Sequence, residues 1–208
     1  MELQAQGDEY DILSRAARRV SFLSNAMTCE IGLRLGGGSK AIIDGLKSSR
    51  AFQPNQVHIA IDPYGQMPYA AEDGPTHLGK DFSNGMRDGT IALLHSYACT
   101  SGVNFIFMNM TDEQFFHRYH DGVPTYSMGE ERILTKYSLV FMDGVHTLQS
   151  VWSATMWFMD RMLLGAIMVY DDVVGWYEHS FVEWYLLKSG WRVYEKGTQK
   201  IAYIKEKS

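Results

Sequence analysis

Cysteine and proline are scarce in this sequence, and it carries no excess of basic charge. Two cysteines in 208 residues, Cys29 and Cys99, cannot build a disulfide framework or a cysteine-rich zinc site. They read as small core residues in a reducing compartment, which predicts a cytoplasmic location. Lys and Arg total 19 against 24 Asp and Glu, a formal net charge of −5. Such a chain has no bulk attraction for phosphate backbones, which argues against a general nucleic-acid binder. Long apolar runs are missing too. The most apolar stretch, 151–170, is broken by Asp160 and Arg161, so no membrane span is expected. No basic start leads into an apolar segment, so no secretory signal is expected.

Apolar surface is abundant. Hydrophobic residues make up 46% and aromatic residues 13% of the chain, enough for one buried core, and disorder is excluded. The length suits a single domain over 1–208. Residues 8–24 have helical spacing, with Ile12, Ala16, Val20 and Leu23 on one face and Asp8 as the expected N-cap. Strands are expected at 26–31, 57–61, 103–108, 139–142 and 166–170, and helices at 41–46, 90–97, 111–119, 148–164 and 181–188. Glycines and prolines break every period in 64–89, which predicts a long loop or lid. Residues 191–194 and 200–204 flank a Gly-containing turn and predict a terminal hairpin. Strand–helix alternation predicts an α/β fold, a doubly wound, mostly parallel sheet with a C-terminal antiparallel hairpin.

In such a sheet ligands bind beyond the carboxyl ends of the strands. Glu30, Asp62, Asp143 and the Asp171-Asp172 pair all stand at expected strand ends, so parallel pairing gathers them at one rim. Crowded carboxylates repel unless cations or hydroxyls take up the charge, which argues for a site. The glycine turn after the first strand is not a P-loop, because Ser39 precedes Lys40 where a Lys-Ser order is needed. It also lacks the Gly-x-Gly-x-x-Gly dinucleotide pattern. It reads as a backbone cradle for a carboxylate or ribose, with Glu30 suited to an amine and Asp62 to two ribose hydroxyls.

The segment Cys29-Glu30-Ile31-Gly32, with Gly36 and Asp62, resembles the S-adenosylmethionine site of class I methyltransferases. Leu139-Val140-Phe141-Met142-Asp143-Gly144-Val145-His146 and the later Asp171-Asp172 are similar to the metal-dependent O-methyltransferases, in the branch with macrocin O-methyltransferase and cephalosporin hydroxylase-like proteins. The resemblance spans roughly residues 25–205 and implies a Rossmann-like fold. It implies that Glu30, Gly32, Gly36, Ser39, Asp62 and Asp112 bind S-adenosylmethionine. It implies that Asp143, Asp171 and Asp172 hold Mg²⁺, a hard cation preferring oxygen ligands. It also implies that His146 is the general base and that Asp143 shares the catalytic work. The substrate implied is a small hydroxylated molecule, with a sugar or glycosylated natural product leading, and no nucleic acid or membrane partner. A homo-oligomer stays open. So do two alternatives: a cofactor-binding fold with no methyl-transfer role, and a metal-independent methyltransferase. In two places the sequence departs from the family pattern. The glycine loop has one residue more before Ser39 than the commonest form, and Leu148 stands where the family has an aromatic.

Overall fold

The structure, a computed structural model, describes Leu3 and residues 8–69, 77–78, 82–127, 129–175 and 177–207. In chain order its elements are α1 (Tyr10–Val20), β1 (Met27–Ile31), α2 (Gly37–Lys47), β2 (Gln56–Ile61), β3 (Pro68–Tyr69), β4 (His77–Leu78), α3 (Asn84–Ser101) and β5 (Val103–Met108). There follow α4 (Asp112–Arg118), β6 (Val123–Ser127), β7 (Glu130–Leu134), β8 (Tyr137–Met142), α5 (Leu148–Met159), β9 (Met162–Tyr170), α6 (His179–Lys188), β10 (Trp191–Lys196) and β11 (Ile201–Lys205).

Seven strands form one sheet in the order β10-β11-β9-β8-β1-β2-β5. β1 pairs in parallel with β2 and with β8, β2 with β5, and β8 with β9. The central strands β1 and β8 are buried along their whole length, as a parallel sheet covered on both faces requires. Alternate residues feed two cores. Cys29, Val140, Met142 and Tyr170 face Phe115, Phe158 and Val182 of α4–α6. Leu139, Phe141, Val169 and Ala202 face Leu13, Ile42 and Leu94 of α1–α3. Each large apolar side chain so buried contributes about 1.5–3 kcal/mol.

The expected hairpin is present, but β11 inserts antiparallel between β9 and β10, leaving β10 at the edge. Burial explains the choice. Ile201 to Ile204 are all buried, whereas β10 buries fully only Trp191. From β1 the chain builds outward to β2 and β5, then returns to place β8 on the other side of β1. The strand order therefore reverses between β1 and β8, and a crevice opens at their carboxyl ends.

Several expected boundaries move. Glu9, not Asp8, holds the cap position of α1, with φ 65°, and makes no side-chain bond to the helix. Its carboxylate instead accepts the N–H groups of Gln199 and Lys200, at 3.0 and 2.9 Å. α3 starts at Asn84, where the Ser83 hydroxyl accepts the Met86 N–H at 3.1 Å. The expected loop is therefore shorter than 64–89, because a good N-cap outweighs Gly85 and Gly89. Its residues 70–76 and 79–81 lie outside the described residues. α5 stops at Met159 and β9 opens at Met162, so the expected helix to 164 ends at the Asp160-Arg161 turn. The β6–β7 hairpin was not expected. β7 is exposed from Glu130 to Ile133, so no apolar alternation marks it. Cys29 is buried as expected, but Cys99 is exposed on α3, not in the core. Among the described residues no helix is long and apolar enough to cross a membrane.

Candidate active site

The glycine turn begins where β1 ends. Gly32 adopts φ +86°, donates its N–H to the Ile61 carbonyl at 2.9 Å, and lies against the backbone of Asp143. The Asp143 N–H in turn donates to the Ile31 carbonyl at 2.9 Å. Leu33 and Arg34 donate their N–H groups to Oδ2 of Asp62, at 2.9 and 3.1 Å, and Tyr64 donates its N–H to Oδ1 at 2.9 Å. The Tyr64 hydroxyl closes the other side by donating to the Arg34 carbonyl at 2.6 Å. α2 then starts at Gly37, presenting first-turn N–H groups that have no intrahelical acceptor.

The expected cofactor residues separate into two groups. Gly32 and Gly36 form the turn itself. Glu30, Ser39 and Asp62 are enclosed beneath it, at 1%, 0% and 3% exposure. The Ser39 hydroxyl donates to Glu30 and stands 2.8 Å from Nε2 of His58, whose Nδ1 is 2.9 Å from the Thr28 hydroxyl. Burial pushes the Glu30 carboxyl well above its ordinary range, the Ser39 bond offsets part of this, and Asp143 and Asp62 add to the rise. Burial also pushes His58 down to about 3. Glu30 and Ser39 thus brace the start of α2 from inside and do not line an open amine site. Asp62 is satisfied by three backbone N–H groups and anchors the turn. A carboxylate has about four acceptor positions, so one remains for a hydroxyl. Its pKa is raised by burial against the lowering effect of those N–H groups. Asp112 is the first residue of α4, and its Oδ1 accepts the Glu113 N–H at 3.0 Å behind the Thr111–Gln114 capping box. Burial raises its pKa.

Across the crevice, Nε2 of His146 stands 3.6 Å from Oδ1 of Asp143 and 3.3 Å from Oδ2 of Asp172. Burial pushes Asp143 up to about 7, with His146 opposing the rise. Burial alone would lower His146, but Asp143, Asp172 and Asp171 outweigh it and hold the imidazole above its ordinary value. The ring of Tyr177 lies nearly parallel to that of His146, at 15° and 6.5 Å between centroids. Tyr177 is itself fixed, its hydroxyl 3.1 Å from Nδ1 of His179, whose Nε2 is 2.9 Å from the Tyr203 hydroxyl.

Asp171 faces a different partner. Lys200 Nζ donates to its Oδ1 at 2.8 Å, and the lysine side chain is 1% exposed. The same oxygen accepts the Asp172 N–H at 2.8 Å. The expected trio of carboxylates around one Mg²⁺ is therefore not assembled: Asp143 and Asp172 meet through His146, and Asp171 is committed to Lys200. Among the described residues no three His, Cys, Asp or Glu side chains are disposed to hold an ion. Mg²⁺ demands free oxygen ligands in near-octahedral array, and this donor set does not fit it.

No motif in the sequence marks Lys200, Tyr177 or His58, and Tyr64 stands there only as the first residue of the expected 64–89 loop. A lysine beside a turn reads as solvated, and nothing local distinguishes Lys200 from Lys196. A cavity of about 520 Å³ runs along α4 between Asn109 and Arg118. It contains none of the rim acids.

No family model matches the chain, and no curated relative does. Solved structures do. The calicheamicin methyltransferase CalS11 superposes with a TM-score of 0.63 at 12% identity, over 93% of this chain and 77% of that one. The O-methyltransferase NovP gives 0.58 at 14% identity, over 95% and 79%. An O-methyltransferase from Bacillus cereus in complex with SAH gives 0.54 at 13% identity, over 98% and 84%. At such identities the likeness is one of fold. The chain has the α/β, Rossmann-like fold of these methyltransferases, with seven strands in its main sheet and the terminal antiparallel hairpin.

Proposed function

We propose that this protein is an S-adenosylmethionine-dependent O-methyltransferase that methylates a hydroxyl of a small molecule. The observation that carries the reading is His146, held between Asp143 and Asp172 at the carboxyl rim, with Asp143 packed on the glycine turn. The α2 N-terminus, set in place by the glycine turn, offers backbone N–H groups to a carboxylate, and Asp62 keeps one acceptor position beside them.

The cofactor supplies a methyl group made electrophilic by its sulfonium. His146 takes the proton of the acceptor hydroxyl at Nε2 as the oxygen forms its bond to the methyl carbon. The carbon–sulfur bond breaks with its electron pair going to sulfur. Asp143 and Asp172 stabilise the imidazolium that results. Tyr177 lies nearby with its ring nearly parallel to the imidazole. No metal step is needed in this scheme.

A sugar hydroxyl is the leading acceptor class. CalS11 is described as a TDP-rhamnose 3'-O-methyltransferase, and it shares this fold. A fold that binds cofactor without transferring methyl is the other reading, and the assembled Asp143–His146–Asp172 cluster argues against it. The test is release of the demethylated cofactor with a panel of hydroxylated sugars and phenols. Turnover on at least one, lowered about 10²–10⁴-fold in His146→Ala, supports the reading. Cofactor binding with no turnover on any acceptor favours the binding module.

A further inference from the structure

The third carboxylate of the rim carries a cation of the protein's own. Lys200 is buried, with its ammonium on Oδ1 of Asp171 at 2.8 Å, on the Asp8 carbonyl at 2.9 Å, and 4.7 Å from the centre of the Tyr10 ring. Its backbone is pinned as firmly. Glu9 accepts the Gln199 and Lys200 N–H groups, and the Val173 N–H donates to the Gln199 carbonyl at 3.1 Å. The start of α1 thus holds the β10–β11 turn from one side, and the segment after Asp172 holds it from the other.

We propose that the Lys200 ammonium is the built-in counter-cation of the acid rim, and that the site works without a divalent ion. The catalytic meaning of this rests on the methyl-transfer reading; the charge balance does not. Three carboxylates, Asp143, Asp171 and Asp172, face one standing protein cation, Lys200, and the His146 imidazole, which becomes a second when it holds a proton. Lys200 takes Asp171, and the His146 imidazole takes the other two at 3.6 and 3.3 Å. A divalent ion entering here meets the repulsion of the ammonium. It must also draw Asp171 out of a buried pair, leaving a buried charge unpaired, which is strongly unfavourable. Lys200 is a positioning residue. It orients Asp171, whose Oδ1 accepts the Asp172 N–H and so helps hold Asp172 at φ +48° with Oδ2 toward His146.

The test uses Mn²⁺ alone as the probe, titrated into the full chain and followed by the electron paramagnetic resonance of the free ion. SAH binding is measured beside it by calorimetry, with and without chelator. Wild-type protein and Lys200→Arg are expected to take up no Mn²⁺ at millimolar concentration. Lys200→Met is expected to gain one Mn²⁺ site, at least about tenfold tighter than any wild-type uptake, and Lys200→Met with Asp171→Asn to lose it. Circular dichroism checks that each variant is folded. Stoichiometric Mn²⁺ uptake by the wild type, lost in Asp171→Asn, overturns the proposal even if Lys200→Met does not fold. A folded Lys200→Met with no Mn²⁺ site overturns it too. Failure of SAH to bind, with the Mn²⁺ pattern as expected, sinks the methyltransferase reading and leaves the charge balance standing.

Discussion

Gly32 and Asp143 meet backbone to backbone, so closely that a Cβ added to Gly32 would stand 1.9 Å from the Asp143 carbonyl oxygen. The contact joins the glycine turn after β1 to the acid that ends β8, across the point where strand order reverses. Gly32→Ala meets both this overlap and the left-handed strain of φ +86°, and no flexible side chain can give way. Gly65→Ala is the control, with φ +69° but its nearest neighbour at 3.7 Å. The strain alone costs about 1–2 kcal/mol. Thermal melts are expected to show Gly32→Ala well below Gly65→Ala. Equal melting temperatures would mean the turn is not packed on Asp143.

His146 must be neutral to accept a proton, and its carboxylate neighbours hold it above the ordinary histidine value. Transfer is therefore expected to rise with pH through a midpoint above about 6.5. Asp172→Asn removes one of the charges that stabilise the imidazolium, so the midpoint falls. A pH–rate profile of the two proteins at saturating cofactor checks this. An unmoved midpoint would place the base elsewhere.

Asp62→Ala strips the acceptor from the Leu33, Arg34 and Tyr64 N–H groups at once. Leaving a buried donor unpaired costs about 1–3 kcal/mol. The glycine turn is expected to loosen and SAH affinity to fall about 10–100-fold by calorimetry. Unchanged affinity would separate the turn from cofactor binding.

Burial holds His58 and His179 neutral in the folded protein, down at about 3 and about 4. Both gain protons on unfolding below about 6.5, so the stability they contribute is complete above that value. It is lost as pH falls toward their folded values, at about 1.4 kcal/mol per pH unit for each. Urea denaturation between pH 7 and pH 5 is expected to show this slope, and His58→Gln to remove about one proton from it. A slope unchanged in His58→Gln would mean that His58 is not held neutral by burial.

The sheet was legible because buried parallel strands read as short apolar runs, and 103–108 falls where β5 lies. Asp143 and His146 were legible because three residues of separation keep them on one rim. What stayed hidden depends on contacts remote in sequence. Lys200 reaches Asp171 across 29 positions, and Glu9 reaches Lys200 across 191. Ser39 was read as a ligand because its position in the turn was visible, whereas His58, which draws it inward from β2, was not. Asp8 lost the cap position to Glu9 because the partner that fixes Glu9 is the far hairpin turn, not the helix.

A crystal structure of the protein grown with SAH tests the central claim most directly. SAH is expected at the carboxyl ends of β1 and β2, against Gly32 and the α2 N-terminus, with its sulfur directed toward the acceptor side of His146. SAH in the cavity along α4, or no SAH at saturating concentration, would contradict a methyl-transfer site at this rim.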